Sequence, residues 1–297
     1  MPRNFRDLLE AQWSRGNFVC VGLDSESVKI PRCVGERVRE SYADIGDTYF
    51  GDCIFEFNRA IVGATKDIVC AYKPNSAFYE AQGAVGIDAL QRTVAMIHDV
   101  APDVPVILDA KRADIGNTNN GYVEMAFDYL GVDAITVHPY LGAEALAPFL
   151  ARAEKGIIVL CRTSNPGAGE FQDIQVPMGP VLVDNEPMFR PLYQVVAQHV
   201  VKTWNKNGNC AVVVGATYPA ELAEVREIVG DMPILIPGIG AQGGDVESTV
   251  KAGKDSRGCG MIINSSRGII FASSDEDFAE AARRETVKLR DLINQHR

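Results

Sequence analysis

The chain has 297 residues, 46% of them hydrophobic and 23% charged, which is material for one large α/β domain or two ordinary ones and excludes a disordered or fibrous protein. A formal net charge of -10 with no compensating stripe of lysine and arginine argues against nucleic acid or an anionic membrane face as partner, and a small anionic substrate would need a local positive pocket. No apolar run approaches the length of a membrane span, and the charged N-terminal segment has no signal-peptide core, so a cytoplasmic protein is expected.

Short apolar, β-branched runs at 18–23, 68–72, 104–108, 134–137, 156–161, 211–214, 234–236 and 261–263 predict strands. Amphipathic patterns between them, clearest at 87–98, 122–130, 143–153, 220–229 and 278–293, predict crossover helices. Eight such units fit a (β/α)8 barrel, taken as one domain over 1–297. The rival is a doubly wound open sheet, favoured at first sight by the GxGxxG at Gly238 to Gly243. A dinucleotide fold would want an acidic residue at the end of the next strand, whereas that strand ends in Asn264-Ser-Ser-Arg267. In a barrel, the loops after the last two strands commonly bind phosphate, which accounts for both segments together.

Two connections exceed ordinary loop lengths. The first spans 24–51 and is expected to carry its own helical turn; the second, 163–186, is rich in Gly, Pro and Met and is expected to act as a lid. Seven cysteines lack any C-x-x-C spacing, and Cys20, Cys70, Cys161, Cys210 and Cys259 lie in or beside strand-like runs, so they read as small reduced core residues. The glycosylation sequon at Asn264 sits at a strand end in a chain with no secretion signal and is discounted.

The most informative segment is Val106-Ile-Leu-Asp-Ala-Lys-Arg-Ala-Asp114, a buried strand that ends in charges. Side chains alternate along a strand, so Asp109 and Lys111 share a face and Asp114 follows in the turn. The plain alternative is a structural ion pair at a sheet edge, but the flanking run is too apolar for a solvated edge. Further polar groups end other strands: Asp24, Lys73 with Asn75, Arg162 to Asn165, Gly238 with Gly240, and Asn264 to Arg267. Any one alone reads as a helix cap or loop ion pair, but six on one rim mark a catalytic face. His138 ends the fourth strand without a matching partner and is assigned a structural, hydrogen-bonded role.

The run D-A-K-R-A-D-I-G-N-T, together with GLD, AYKPNSAFYE, TSNPG, PGIGAQGGD and NSSRGI in that order, resembles the orotidine 5′-phosphate decarboxylase family in its longer form, over residues 18 to 271. The resemblance implies decarboxylation of orotidine 5′-phosphate to uridine 5′-monophosphate, the last step of de novo pyrimidine nucleotide synthesis, by a barrel that needs no cofactor or metal. It implies that Lys111 gives the proton, flanked by Asp109 and by Asp114 from the other subunit of a homodimer, with Lys73 in the same charge network. Asp24, Asn75 and Thr118 would serve the ribose and network contacts, Ser164 the pyrimidine, and Gln242 with Arg267 the phosphate. Removing the carboxylate leaves electrons in an in-plane orbital the ring cannot delocalise, and nothing in the chain resembles a pyridoxal or thiamine site, so the protein's own charges must act. The two carboxylates beside Lys111 favour its charged form and argue against a Schiff base. A magnesium-dependent phosphosugar decarboxylase or aldolase-type lyase is the nearest rival, although Lys111 competes with a cation for the same carboxylates. A catalytically dead phosphate-ligand binder is a second rival, and it would have lost the lysine.

Overall fold

Strands such as Val19–Leu23 and Cys210–Val214 are buried at every position, as parallel strands covered on both faces must be. The computed structural model describes residues 3–41, 48–183, 186–239 and 244–297. Eight parallel strands form the main sheet: β1 (Val19–Leu23), β2 (Ala71–Pro74), β3 (Ile107–Arg112), β4 (Ala134–Val137), β5 (Gly156–Arg162), β8 (Cys210–Val214), β9 (Ile234–Pro237) and β10 (Met261–Ser265). Their order is β2-β1-β10-β9-β8-β5-β4-β3, and the bridges Tyr72–Val106 and Asn75–Asp109 join the two ends into the expected barrel.

The helix Phe5–Ser14 seals the N-terminal end of the barrel. Phe5, Leu9 and Trp13, at i, i+4 and i+8, put one apolar stripe inward. A Cβ on Gly156, which opens β5, would come within 2.2 Å of the Phe5 ring, and the Trp13 indole N–H donates to the Met261 carbonyl at 2.9 Å. The polar strand ends therefore face the other way, toward the rim.

Several boundaries differ from expectation. β2 begins at Ala71 and runs to Pro74, which places Lys73 on the strand. β3 begins at Ile107 and continues through Lys111 to Arg112. The 122–130 segment is α-helical only to Val123 and then turns once as a π-helix over Glu124–Tyr129. In the first long connection a 3₁₀ turn, Ser27–Lys29, precedes the helix Arg32–Ser41. The second is not a structureless loop: after a 3₁₀ turn at Pro166–Ala168 and a short helix, Gly169–Gln172, it forms an antiparallel hairpin of β6 (Gln175–Val183) and β7 (Glu186–Pro191). Backbone donors and acceptors in so long a crossing find partners more readily in a hairpin than in irregular coil. All seven cysteines are free; Cys259 is only partly buried, in the turn before β10. Asn264 is 6% exposed, which closes the sequon to modification.

Candidate active site

At the C-terminal rim the barrel opens into a cavity of about 490 Å³. Asp24 (after β1), Lys73 (β2), Asn75 (after β2), Asp109 and Lys111 (β3), Ser164 (after β5) and Arg267 (after β10) all line it, while Leu160, Val213 and Leu235 supply an apolar wall. Adjacent strands in the closed barrel explain why residues far apart in sequence converge there.

Asp109 is the hub. Its Oδ2 accepts from Lys73 Nζ at 3.0 Å and its Oδ1 from Lys111 Nζ at 2.7 Å. Burial alone would raise the Asp109 pKa, but the ammonium groups of Lys73 and Lys111 outweigh it and hold the carboxyl well below the usual range. Lys73 is 3% exposed; burial disfavours its charge, yet Asp109 and Asp24, the latter 3.9 Å away, overcome this and raise its pKa. The result is an alternating cation-anion-cation chain along one wall.

Simple alternation does not by itself place Lys111. β3 slips against β4 between Leu108 and Arg112, pairing them with Ile135 and Val137, so four residues of β3 span two of β4. Lys111 takes up the excess with a φ of 50°, the left-handed region that side-chain-bearing residues seldom adopt. Thr136 on β4 holds this bulge: its Oγ1 accepts from the Lys111 backbone N–H at 3.0 Å and donates to Asp109 Oδ1 at 2.9 Å. Thr136 lines the cavity and escaped the sequence reading, although a lone hydroxyl in the strand Ala-Ile-Thr-Val was its trace.

Asp114 and Thr118 are not among the residues lining this cavity. Asp114 Oδ1 accepts from Ile115 N at 2.7 Å, its own N–H donates to Asn119 Oδ1 at 2.8 Å, and Thr118 opens the next helix. Gln242 lies outside the described residues. His138 keeps only a backbone link, its N–H donating to the Arg112 carbonyl at 3.2 Å, and its buried Nδ1 has no hydrogen-bond partner among the described residues, so the hydrogen-bonded ring expected there is not found. Among the described residues no cluster of three or more His, Cys, Asp or Glu side chains is placed to hold a metal ion. Among the described residues no helix is long and apolar enough to cross a membrane.

Two close approaches shape the rim. Gly22 leaves room for Ser266, whose Oγ stands 1.8 Å from where a Cβ would be. Gly215 does the same for Ser164, whose Cβ would lie 2.6 Å from an added Cβ.

A family model described as orotidine 5′-phosphate decarboxylase / HUMPS family matches residues 17–283. The orotidine 5′-phosphate decarboxylases of Ralstonia pickettii and Cupriavidus metallidurans are each 49% identical over 294 residues, covering 99% of this chain and 99% and 98% of theirs. Among solved structures, Leishmania donovani OMP decarboxylase is 35% identical with a TM-score of 0.76, covering 97% of this chain and 99% of its own. Leishmania donovani UMP synthase is 36% identical with a TM-score of 0.82; the chain spans 56% of that longer protein. With fold, cavity and full-length likeness in agreement, this chain belongs to the orotidine 5′-phosphate decarboxylase / HUMPS family.

Proposed function

We propose that Lys111 is the proton donor in the decarboxylation of orotidine 5′-phosphate to uridine 5′-monophosphate, the reaction this chain catalyses as the last step of de novo pyrimidine nucleotide synthesis. The single observation that carries this reading is the Lys73–Asp109–Lys111 chain on the wall of a rim cavity, with contacts of 3.0 and 2.7 Å. As carbon dioxide leaves, negative charge collects on the ring carbon. A preorganised ammonium aimed at that carbon attracts the transition state more than the ground state and then delivers its proton, leaving uridine 5′-monophosphate. Asp109 orients Lys111 and faces the departing carboxylate. Lys73 keeps Asp109 ionised, and the apolar wall of Leu160, Val213 and Leu235 lowers the local dielectric so that these charges act strongly.

Asp24 and Asn75 serve the ribose from the rim, Ser164 meets the pyrimidine, and Arg267 with Gln242 grips the phosphate. The helix and hairpin after β5 form a lid whose closure uses phosphate binding energy to exclude water. Asp114 and Thr118, which do not line the cavity of their own chain, serve the site of a second copy. Ile115, next to Asp114 in the chain, is 61% exposed, an apolar side chain suited to a two-fold contact that would carry Asp114 to the partner's Lys111. The chain thus acts as one cytoplasmic barrel domain working in homodimers with shared sites.

The test is the absorbance change when the protein is mixed with orotidine 5′-phosphate in chelator-treated buffer. Turnover to uridine 5′-monophosphate with chelator present is expected; turnover that appears only when magnesium is restored would overturn the proposed mechanism.

A further inference from the structure

Arg162, the last residue of β5, is 3% exposed although it carries a charge, and it does not line the cavity. Its guanidinium stacks on the Tyr218 ring at 4.0 Å, donates to Gln172 Oε1 at 3.3 Å and meets Asp173 Oδ2 at 3.2 Å. A buried guanidinium held on both faces of a loop is a rigid anchor, because its planar fork loses little freedom on binding. Gln172 passes the restraint on. Its Oε1 accepts the Thr163 backbone N–H at 2.9 Å and its Nε2 donates to the Thr163 hydroxyl at 2.9 Å. Gly215 then fixes Ser164 from behind, with its N–H donating to the Arg162 carbonyl at 2.8 Å. Of these side chains, Thr163, Ser164 and Gln172 line the cavity.

We propose that Arg162 is a positioning residue that seats the root of the lid, acting through Gln172 so that Thr163 and Ser164 present a fixed hydrogen-bonding edge to the pyrimidine of the substrate. The inference rests on the reading that Ser164 meets the base. Arg162 itself touches no substrate atom; it determines how the edge that recognises the base is held. Because the anchor sits on the base side of the cavity, its loss should affect ligands that carry a pyrimidine and spare those that carry only the sugar phosphate.

The experiment compares the binding of uridine 5′-monophosphate and of ribose 5-phosphate to wild type, Arg162→Met, Ser164→Ala and the double variant. Methionine keeps the length and apolar stem, and the abandoned Asp173 is solvent-exposed, so no charge is left buried. Arg162→Met should weaken uridine 5′-monophosphate about tenfold, the cost of one or two hydrogen bonds, and leave ribose 5-phosphate within about twofold. The double variant should lose little beyond Ser164→Ala. Equal loss for both ligands or no loss for either would overturn the positioning role, and so would fully additive losses where Ser164→Ala by itself weakens the nucleotide. If Ser164→Ala binds the nucleotide normally while Arg162→Met shows the selective loss, the reading of Ser164 fails and the anchor stands, acting through Thr163. Should Arg162→Met not fold, Gln172→Leu breaks the same chain and is held to the same outcomes.

Discussion

The hydroxyl of Thr136 donates to Asp109 Oδ1 at 2.9 Å while accepting the backbone N–H of Lys111 at 3.0 Å. One side chain therefore sets both the carboxylate bonded to Lys111, the proposed proton donor, and the bulge that carries that lysine. Thr136→Val keeps the shape and removes both bonds. Turnover should fall about tenfold to a hundredfold, the range for hydrogen bonds to charged groups, with little change in the Michaelis constant. Steady-state kinetics decide it, and an equal rise in the Michaelis constant with unchanged turnover would assign Thr136 to binding instead.

Lys111 and Arg267 should separate chemistry from binding. Lys111→Ala is expected to abolish turnover while uridine 5′-monophosphate still binds, since the phosphate end of the cavity is untouched. Arg267→Ala should raise the Michaelis constant strongly, and lower turnover as well if phosphate binding energy closes the lid. Calorimetric titration alongside kinetics distinguishes the two, and an Arg267 variant with a normal Michaelis constant would remove that residue from the site.

The shared site is tested by complementation. Lys111→Ala and Asp114→Asn should each be nearly inactive alone. In a mixed dimer, the Asp114→Asn chain still owns Lys111 and receives an intact Asp114 from its partner. Random reassociation of equal amounts makes about half the dimers mixed, with one whole site in each, so activity should return to roughly a quarter of wild type. If mass analysis confirms mixed dimers and no activity returns, Asp114 acts within its own chain.

Asp133, just before β4, ties the sealed end of the barrel together. It meets Arg3 at 2.8 Å and the Val106 N–H at 2.9 Å, with His98 Nε2 at 3.4 Å. Burial would raise its pKa, but His98, Arg3 and the amide outweigh this and hold it down at about 2, against 3.8 ordinarily. A pKa depressed on folding contributes stability that is full above about 4 and is lost as pH falls toward 2; the fall from 3.8 to about 2 corresponds to about 2 kcal/mol. Asp133→Asn should therefore be less stable than wild type by about that amount at pH 7, with the gap narrowing below pH 4. Urea unfolding across this range measures it, and a gap independent of pH would contradict the assignment.

Much of the molecule was legible in the chain because it is encoded locally. Apolar strand runs alternating with helical stripes specify a parallel α/β fold, for which eight units in series fit a barrel, and charges at the ends of buried strands are costly without use. Asp24, Lys73, Asn75, Asp109, Lys111, Ser164 and Arg267 were found this way, and all of them line one cavity. What no local pattern holds is register. The bulge that turns Lys111 to a φ of 50° exists because β3 and β4 slip against each other, and Thr136 becomes a site residue only through that slip. The bridge from Asn75 to Asp109 closes the sheet across 34 positions, bringing the two lysines onto one carboxylate. The segment after β5 read as a long lid without regular elements because Gly and Pro break periodicity, whereas β6 pairs with β7 within it. Composition and spacing marked the strand-end residues that gather at the rim; only the packing of neighbouring strands decided their distances, because hydrogen-bonded register is a property of two segments and not of one.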